Sequence, residues 1–244
     1  MIIELLQPVY GHEENAKKSL KAFMDEEFKD LDVAFEILSP KVAGKKHLSV
    51  MVSGDDEEVS ANFLYNAFGK PLQKSDAVPG ETYKGFISKI EPDQITVDIG
   101  FDAIVSAMSL STLGAGNAGQ IAARFGMIPY LPVTVTIPTG SVPADELWAV
   151  GKVNFSKEQI DLWWTWKKSS TDRIFLNNAT RSQVKAALKK KRHGRDVYGV
   201  ERLGLMECVV ICNEKTDGPG IVASIGKLLP SQMGVLLADK KSVK

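Results

Sequence analysis

Three glycines near the middle of the chain have the spacing of a phosphate-binding loop. Gly114, Gly116 and Gly119 form the pattern G-x-G-x-x-G within the stretch LGAGNAGQIAARFG. In dinucleotide-binding enzymes this pattern follows a buried strand, opens a helix and precedes a strand that ends in an acidic residue. The helix condition is met here, because residues 120–125 contain no helix breaker.

The other two conditions for a dinucleotide site are not met. Residues 109–113 contain three Ser or Thr and only two Leu, whereas the required strand is an apolar run buried on both faces. The next strand-like run, YLPVTVTI, ends at Ile137 and is followed directly by Pro138, Thr139 and Gly140, so no carboxylate stands at its end. We therefore expect a structural turn, with dinucleotide binding as an alternative. A second hypothesis is that the amides of residues 116–120 hold one RNA phosphate, with Arg124 as its charge partner.

Positive charge is concentrated in the last third of the chain. The formal net charge is zero, yet residues 165–204 contain eleven Lys or Arg and only three Asp or Glu. Such an asymmetry indicates binding to a polyanion. The candidate phosphate contacts, on a predicted helix and the turn after it, are Arg181, Lys185, Lys189, Lys191, Arg192, His193 and Arg195. The alternative is a solvated surface helix, with Asp196 and Glu201 as local ion partners.

The composition is typical of a folded protein, with 44% hydrophobic and 25% charged residues. No apolar run approaches the length of a membrane span, and the N-terminal stretch has no basic region or cleavage-type site. We expect a cytoplasmic protein without a membrane partner. Cys208 and Cys212 lie four residues apart in a strand-like run, and the histidines are scattered. This pattern favours buried thiols over a metal site, and we expect no cofactor and no enzymatic activity.

Hydrophobic periodicity divides the chain into three domains of an α+β protein. Residues 1–78 are predicted to form a strand, a helix, two strands and a helix, which is most of a ferredoxin-like unit. The segment 69–80 is rich in Pro, Gly and polar residues and marks the first boundary. Residues 154–244 begin with a helix and continue with the order βαββαβ, which is again ferredoxin-like.

The middle domain, residues 79–153, is predicted to form an OB-fold β-barrel. Three short strands, the glycine turn with its helix, and two further strands ending in ELWAVGKV follow the order of that fold. The opening GETYKGFISKIEPDQITVDIG resembles RNA-binding OB modules of the ribosomal S-one type, through Gly80, Gly85, Phe86 and Ile87. The resemblance implies a surface for RNA. The candidate contacts there are Tyr83, Lys84, Phe86 and Phe101, whose rings can stack on bases when exposed.

The helix that follows Asn154 carries a cluster of tryptophans. Ser156 and Gln159 have the spacing of a capping box at its start. Trp163 and Trp164 lie on neighbouring positions of this helix with Trp166 close by. Because aromatic stripes at helical spacing usually face a core, we expect them to pack between domains rather than to stack on bases.

Long stretches of the chain resemble a single protein family. The similarity lies in IAARFGMIPYLPV, NNATRSQVKAALKKKRHGRDVYGVERLGLMECVV and GPGIVASIGKLL. These segments are similar to an archaeal family catalogued as domain of unknown function 2110, and the run from Asn177 to Val210 is the most specific part. The resemblance covers nearly the whole chain and implies an archaeal, cytoplasmic source. It implies no established activity.

Together these features favour a non-enzymatic RNA-binding or nucleic-acid-binding protein of the archaeal translation or transcription machinery. Its expected partners are ribosomal or nascent RNA and components of the ribosome or of RNA polymerase. The barrel offers a surface for an extended strand, and the basic helix offers phosphate contacts. Two alternatives remain open: an adaptor that docks on proteins through its ferredoxin-like ends, and a protein that binds a ligand or dinucleotide at the glycine-rich loop.

Overall fold

The chain folds into three α+β units, each built on one antiparallel sheet. The computed structural model describes residues 1–39, 46–139 and 151–239. The N-terminal unit contains β1 (Ile2–Pro8), α1 (Glu13–Glu27), β2 (Ala34–Leu38), β3 (His47–Ser53) and α2 (Glu57–Phe68). Its strands pair in the order β1-β3-β2. Helix α1 buries Ala16, Leu20 and Met24, which recur every four residues and so form one face toward the sheet.

The central unit is a curled five-stranded sheet with two helices. Its elements are β4 (Thr82–Ile90), β5 (Gln94–Asp98), β6 (Asp102–Ser106), α3 (Ala118–Arg124), β7 (Pro132–Thr136), β8 (Asn154–Phe155) and α4 (Lys157–Lys167). The strand order is β6-β5-β4-β7-β8. A parallel bridge between Ile104 and Lys152 brings the two edges of the sheet together. The sheet is therefore a half-barrel.

Strict alternation of apolar residues produces the interior of the half-barrel. Along β5 and β6, Ile95, Val97, Ala103 and Val105 are fully buried, while the residues between them are partly exposed. This is the two-residue period of a strand with one face on a core. The predicted last strand is shorter and later than expected: β8 comprises Asn154–Phe155, and residues 146–150 of the prediction lie outside the described residues.

Helix α4 closes one side of the central core with its tryptophans. Trp163 is fully buried, and its ring meets that of Phe155 edge-on at 4.8 Å. Trp164 meets Phe125 in the same way at 5.4 Å. Trp166 lies 5.6 Å from Phe175, which belongs to the next unit. The predicted packing between domains thus holds for Trp166, whereas Trp163 and Trp164 pack inside the central unit.

The C-terminal unit contains β9 (Arg173–Leu176), α5 (Arg181–Lys190), β10 (Val197–Arg202), β11 (Cys208–Cys212), α6 (Gly218–Ile225) and β12 (Met233–Leu236). Its sheet has the order β10-β11-β9-β12, so β10 is an edge strand. Thr180 and Gln183 have the spacing of a capping box, and both of its bonds are present: Gln183 N donates to Thr180 Oγ1 at 3.3 Å, and Thr180 N donates to Gln183 Oε1 at 2.8 Å. Cys208 and Cys212 are buried free thiols, as predicted.

The three units share their cores. Phe175 and Leu236 of the C-terminal unit join the central core, and Leu205 and Met206 join the core of the N-terminal unit. In the ranges that the structure describes, no helix has the length and hydropathy required to cross a bilayer.

Candidate functional site

The glycine-rich loop does not have the geometry of a dinucleotide site. Residues Ser109–Leu113 form a short 3-10 helix rather than a strand. Leu110 and Leu113 are buried in the central core. Gly114 has a φ angle of 116°, which a residue with a side chain rarely adopts. The loop is therefore a turn from the 3-10 helix into α3, and the dinucleotide alternative lacks the strand that it requires.

The loop also satisfies its own hydrogen-bonding groups. Gln120 N donates to Asn117 Oδ1 at 2.9 Å, and Asn117 N donates to Gln120 Oε1 at 3.0 Å. Ala118 N donates to the carbonyl oxygen of Pro92 at 2.8 Å. These bonds engage the N–H groups of Asn117, Ala118 and Gln120 at the start of α3.

Arg124 is held across the same loop. Its guanidinium donates a hydrogen bond to the carbonyl oxygen of Ala115 at 2.8 Å. A Cβ atom on Gly114 would lie 2.7 Å from the Arg124 Nη1 atom, so the glycine makes room for this side chain. The predicted phosphate contact through Gly116, Gly119 and Arg124 stays a prediction, although Arg124 and three of the five predicted amides already have protein partners.

The barrel aromatics predicted to stack on bases are covered. Phe86 is only 5% exposed, so its predicted role in base stacking is wrong. Tyr83 and Phe101 are half-buried and pack against the central core. The Tyr83 hydroxyl accepts a hydrogen bond from Val78 N at 3.0 Å, and Lys74 Nζ lies 5.7 Å from the centre of the Phe101 ring.

Lys84 is engaged as well. Its ammonium group donates to the carbonyl oxygens of Asn66 and Ala67, which lie in the last turn of α2. Burial lowers the pKa of Lys84. The strands β5 and β6, with the turn between them, contain two Asp and no Lys or Arg, so this part of the half-barrel is a poor surface for phosphate.

The positive charges of α5 are brought together beside the edge strand β10. Arg181, Lys185 and Lys189 recur every four residues and line a groove of about 440 Å³ between α5 and β10. The other side of the helix buries Val184 and Leu188 in the core of the unit. Arg181 Nε donates to the carbonyl oxygen of Val200 at 2.8 Å. The predicted clustering of these three residues is confirmed.

The lysines of this groove keep their charge available. Among the described residues, no ion pair joins Lys185 or Lys189 to a carboxylate. Glu201 lies at one end of the groove, and the predicted local partner Asp196 binds His193 instead, with 2.7 Å between Asp196 Oδ2 and His193 Nδ1. The groove is therefore positive along the helix side.

Tyr198 is the functional candidate that sequence reasoning missed. It lies in the groove on β10 and is 67% exposed. The pairing of β10 with β11 shifts between Val197 and Gly199, so Tyr198 occupies a β-bulge, a feature that redirects a side chain. Gly194 and Gly199 line the groove beside it and leave the ring uncovered. The sequence contains no signal for its exposure, because regular alternation would place Tyr198 on the same face as the buried Val200.

The turn after α5 adds charge at the end of the groove. Lys191, Arg192 and Arg195 are exposed, and Arg192 has a φ angle of 65°. His193 is held by Asp196, as described above. The predicted residues of the turn therefore lie on the surface next to the groove, while Gly194 forms part of its lining.

A second polar cluster, which no sequence motif predicts, is buried where the three units meet. Glu207 is fully buried and accepts hydrogen bonds from Tyr10 Oη and from Gln7 Nε2, the latter at 3.4 Å. Burial raises the pKa of Glu207 to about 7. The pKa of the Tyr10 hydroxyl is also raised, by burial and by the neighbouring Glu207. A carboxyl group inside the apolar run LGLMECVVIC was the only available signal.

A buried histidine makes another contact between units. His47 on β3 is 4% exposed, and its Nε2 atom lies 2.9 Å from Asp98 Oδ2 on β5 of the central unit. Its Nδ1 atom lies 3.5 Å from Glu4 Oε1 on β1. Asp98 also accepts from Gly100 N. These bonds join the N-terminal sheet to the half-barrel, so we assign the histidine a structural role.

Comparison with protein families covers nearly the whole chain. Residues 2–74 match the DUF2110 N-terminal domain, residues 77–167 match the DUF2110 central domain, and residues 171–237 match the DUF2110 C-terminal domain. No curated protein matches the chain. The three matches follow one another in order and together show that the protein belongs to the DUF2110 family.

Proposed function

We propose that this protein is a non-enzymatic RNA-binding protein and that it contacts single-stranded RNA through the groove between α5 and β10. The observation that carries this proposal is the exposed ring of Tyr198 beside the row of Arg181, Lys185 and Lys189. Proteins that bind single strands combine a positive groove, which follows the phosphates, with aromatic rings on which bases stack. This groove has both components.

The geometry favours a single strand over a duplex. A base can lie on the Tyr198 ring only if it is unstacked from its neighbours, as the bases of a single strand are. Contacts from the lysines to phosphates supply affinity without selecting a sequence. We therefore propose that binding has low sequence specificity, and that ribosomal or nascent RNA in the archaeal cytoplasm is the partner.

The finer fold assignments belong to the same proposal. The order β6-β5-β4-β7-β8, the helix α3 between β6 and β7, and the parallel approach of Lys152 to Ile104 support an OB-like barrel. The order β10-β11-β9-β12 supports a ferredoxin-like C-terminal unit, and β1-β3-β2 supports the same arrangement without its last strand. In this account the barrel is a scaffold, and the ferredoxin-like C-terminal unit carries the RNA.

The proposal is tested by fluorescence anisotropy with a labelled RNA of roughly 12 nucleotides, within the range of single-strand site sizes. Replacing Lys185 and Lys189 together with Gln is expected to weaken binding by about tenfold, because two phosphate contacts are lost. The matched control replaces Lys18 and Lys29, exposed lysines of the N-terminal unit, with Gln. It changes the net charge by the same amount and is expected to leave the affinity unchanged.

Tyr198 provides the second arm of the test. Tyr198→Ala is expected to weaken single-strand binding by about tenfold or more, since one stacked base contributes ~1–3 kcal/mol. Tyr198→Phe keeps the ring and is expected to bind as the parent does. Binding to a duplex of the same length is expected to be weaker and insensitive to Tyr198. The proposal is overturned if the parent and the Lys185/Lys189 variant bind RNA with equal affinity. It is also overturned if the groove binds an acidic peptide and no RNA.

A further inference from the structure

A cavity of about 300 Å³ lies where the three units meet, apart from the α5–β10 groove. All three units contribute to its walls. Its lining includes Phe23, Phe68, Lys84, Phe86, Gln159 and Arg202. The volume is at the lower end of the range for small-molecule sites and suits one ring with one charged group.

One part of the wall is aromatic. Phe68 and Phe86 are 7% and 5% exposed, so the cavity reaches side chains that water scarcely touches. The ring of Phe23 meets that of Phe68 edge-on at 4.9 Å. Phe86 comes from β4 and Phe68 from α2, so the two units together form an apolar slot. Such a slot favours a flat apolar group.

The charged part of the wall is entirely positive. Arg202 and Lys84 line the cavity, and no Asp or Glu is among the described residues of its lining. Lys84 is held by the carbonyl oxygens at the end of α2. Arg202 makes no ion pair within the described ranges, and its guanidinium carbon lies 6.0 Å from the centre of the Phe23 ring. The guanidinium is thus available to an anion.

Gln159 gives the cavity a directed hydrogen-bond donor. Its side chain is nine-tenths buried, and its Oε1 atom accepts from Thr134 N at 3.0 Å. That bond fixes the orientation of the amide, and in the part of the chain that the structure describes the Nε2 atom donates to no protein group. Solvent reaches this Nε2 atom, so an acceptor on a ligand takes the place of water there and receives a hydrogen bond of fixed direction.

We infer that this cavity binds a small oxyanion that carries one flat apolar ring, such as an aryl phosphate or aryl carboxylate. The oxyanion lies between Arg202 and Gln159, and the ring lies against Phe68 and Phe86. Because N-terminal, central and C-terminal residues all line the cavity, an occupant stabilises the docking of the three units and raises the unfolding temperature. This inference does not depend on RNA binding.

Phenyl phosphate is the probe, with phenol and inorganic phosphate as its separate halves. Binding is followed by the amide NMR shifts of Gly85 and Gly204, which line the cavity, and by the thermal midpoint of the full chain. Phenyl phosphate is expected to shift both amides with a dissociation constant of about 1 mM or tighter, as the efficiency of small ligands permits. Phenol alone and inorganic phosphate alone are each expected to bind about tenfold more weakly, because each contacts only the aromatic or only the charged part of the cavity.

Two variants locate the site. Arg202→Gln is expected to weaken the binding of phenyl phosphate by about fivefold or more, whereas Lys29→Gln, which removes one exposed positive charge outside the cavity, leaves it unchanged. Gln159→Glu keeps the acceptor for Thr134 N and places a negative charge in the cavity, so it is expected to abolish binding. The RNA affinity of Arg202→Gln is measured separately, because it reports on the α5–β10 groove and not on this cavity. Unshifted glycine amides, equal binding of phenol and phenyl phosphate, or an unaffected Arg202→Gln variant overturns the inference.

Discussion

The rings of Tyr10 and Tyr130 are stacked face to face, with 3.7 Å between their centroids and 3° between their planes. Tyr10 belongs to the N-terminal unit and Tyr130 to the central unit. The hydroxyl of Tyr10 donates to the buried carboxyl group of Glu207 in the C-terminal unit, and it accepts from Asn178 N at 3.2 Å. The Tyr10 side chain therefore contacts all three units, and it donates its hydrogen bond to the titratable carboxyl group of Glu207.

Stability is predicted to fall as the pH rises from about 4.5 to about 7. Burial raises the pKa of Glu207 to about 7, so between these values the folded protein holds a proton that the unfolded chain has released. The rise of this pKa from the ordinary glutamate value of 4.5 corresponds to a loss of about 3 kcal/mol in the free energy of unfolding across this window. Above pH 7 this contribution stays constant. Urea unfolding at a series of pH values measures it.

Glu207→Gln isolates this contribution from those of other titrating groups. The glutamine cannot ionise, so the difference in unfolding free energy between parent and variant is expected to change with pH only below about 7. As the pH rises, the free energy of unfolding of the variant therefore increases relative to that of the parent. A difference that is flat from pH 4.5 to 7, or one of opposite sign, would show that Glu207 is ionised throughout.

Trp163 is predicted to be a major contributor to the stability of the central unit. It is fully buried between Phe125 and Phe155, and truncation leaves a large cavity. Trp163→Ala is expected to cost ~3–5 kcal/mol in urea unfolding. Leu162→Ala, one residue earlier on α4 and 41% exposed, is the control and is expected to cost less than ~0.5 kcal/mol. Similar losses for both variants would contradict the packing described for α4.

A close approach between two glycines is predicted to hold the central unit against the C-terminal unit. A Cβ atom on Gly234 of β12 would lie 2.2 Å from the carbonyl oxygen of Gly126. Gly234→Ala is therefore expected to destabilise the protein by ~2 kcal/mol or more, because backbone has to move. Gly226 has helical dihedral angles and open space around it. Gly226→Ala is expected to be neutral or to stabilise by up to ~1 kcal/mol, and a loss equal to that of Gly234→Ala would contradict this account.

Local signals in the sequence predicted most of the elements. The apolar spacing of residues 57–68 predicts α2 with the bounds that the structure has. The capping box at Thr180 predicts the start of α5, because both of its bonds are local. The order of elements in each unit follows in the same way from two-residue and helical periods. These properties depend on neighbours within a few residues, which a sequence displays directly.

Contacts between units could not be predicted from those local signals. Phe86 lies beside Ile87 on β4 and points away from the core of the half-barrel, yet it is buried where the units meet. The bulge at Tyr198 depends on the register of β10 against β11, which no spacing in the chain reveals. In each case a distant segment or a pairing register determines what is exposed.

The salt dependence of RNA affinity tests the central claim most directly. For single strands, the logarithm of the association constant falls with the logarithm of salt concentration by ~0.7 per phosphate contacted. If Lys185 and Lys189 each contact one phosphate, the Lys185→Gln/Lys189→Gln variant has a slope about 1.4 units shallower than the parent. The Lys18→Gln/Lys29→Gln control keeps the slope of the parent. A groove variant with the slope and affinity of the parent would contradict the assignment of RNA binding to the surface between α5 and β10.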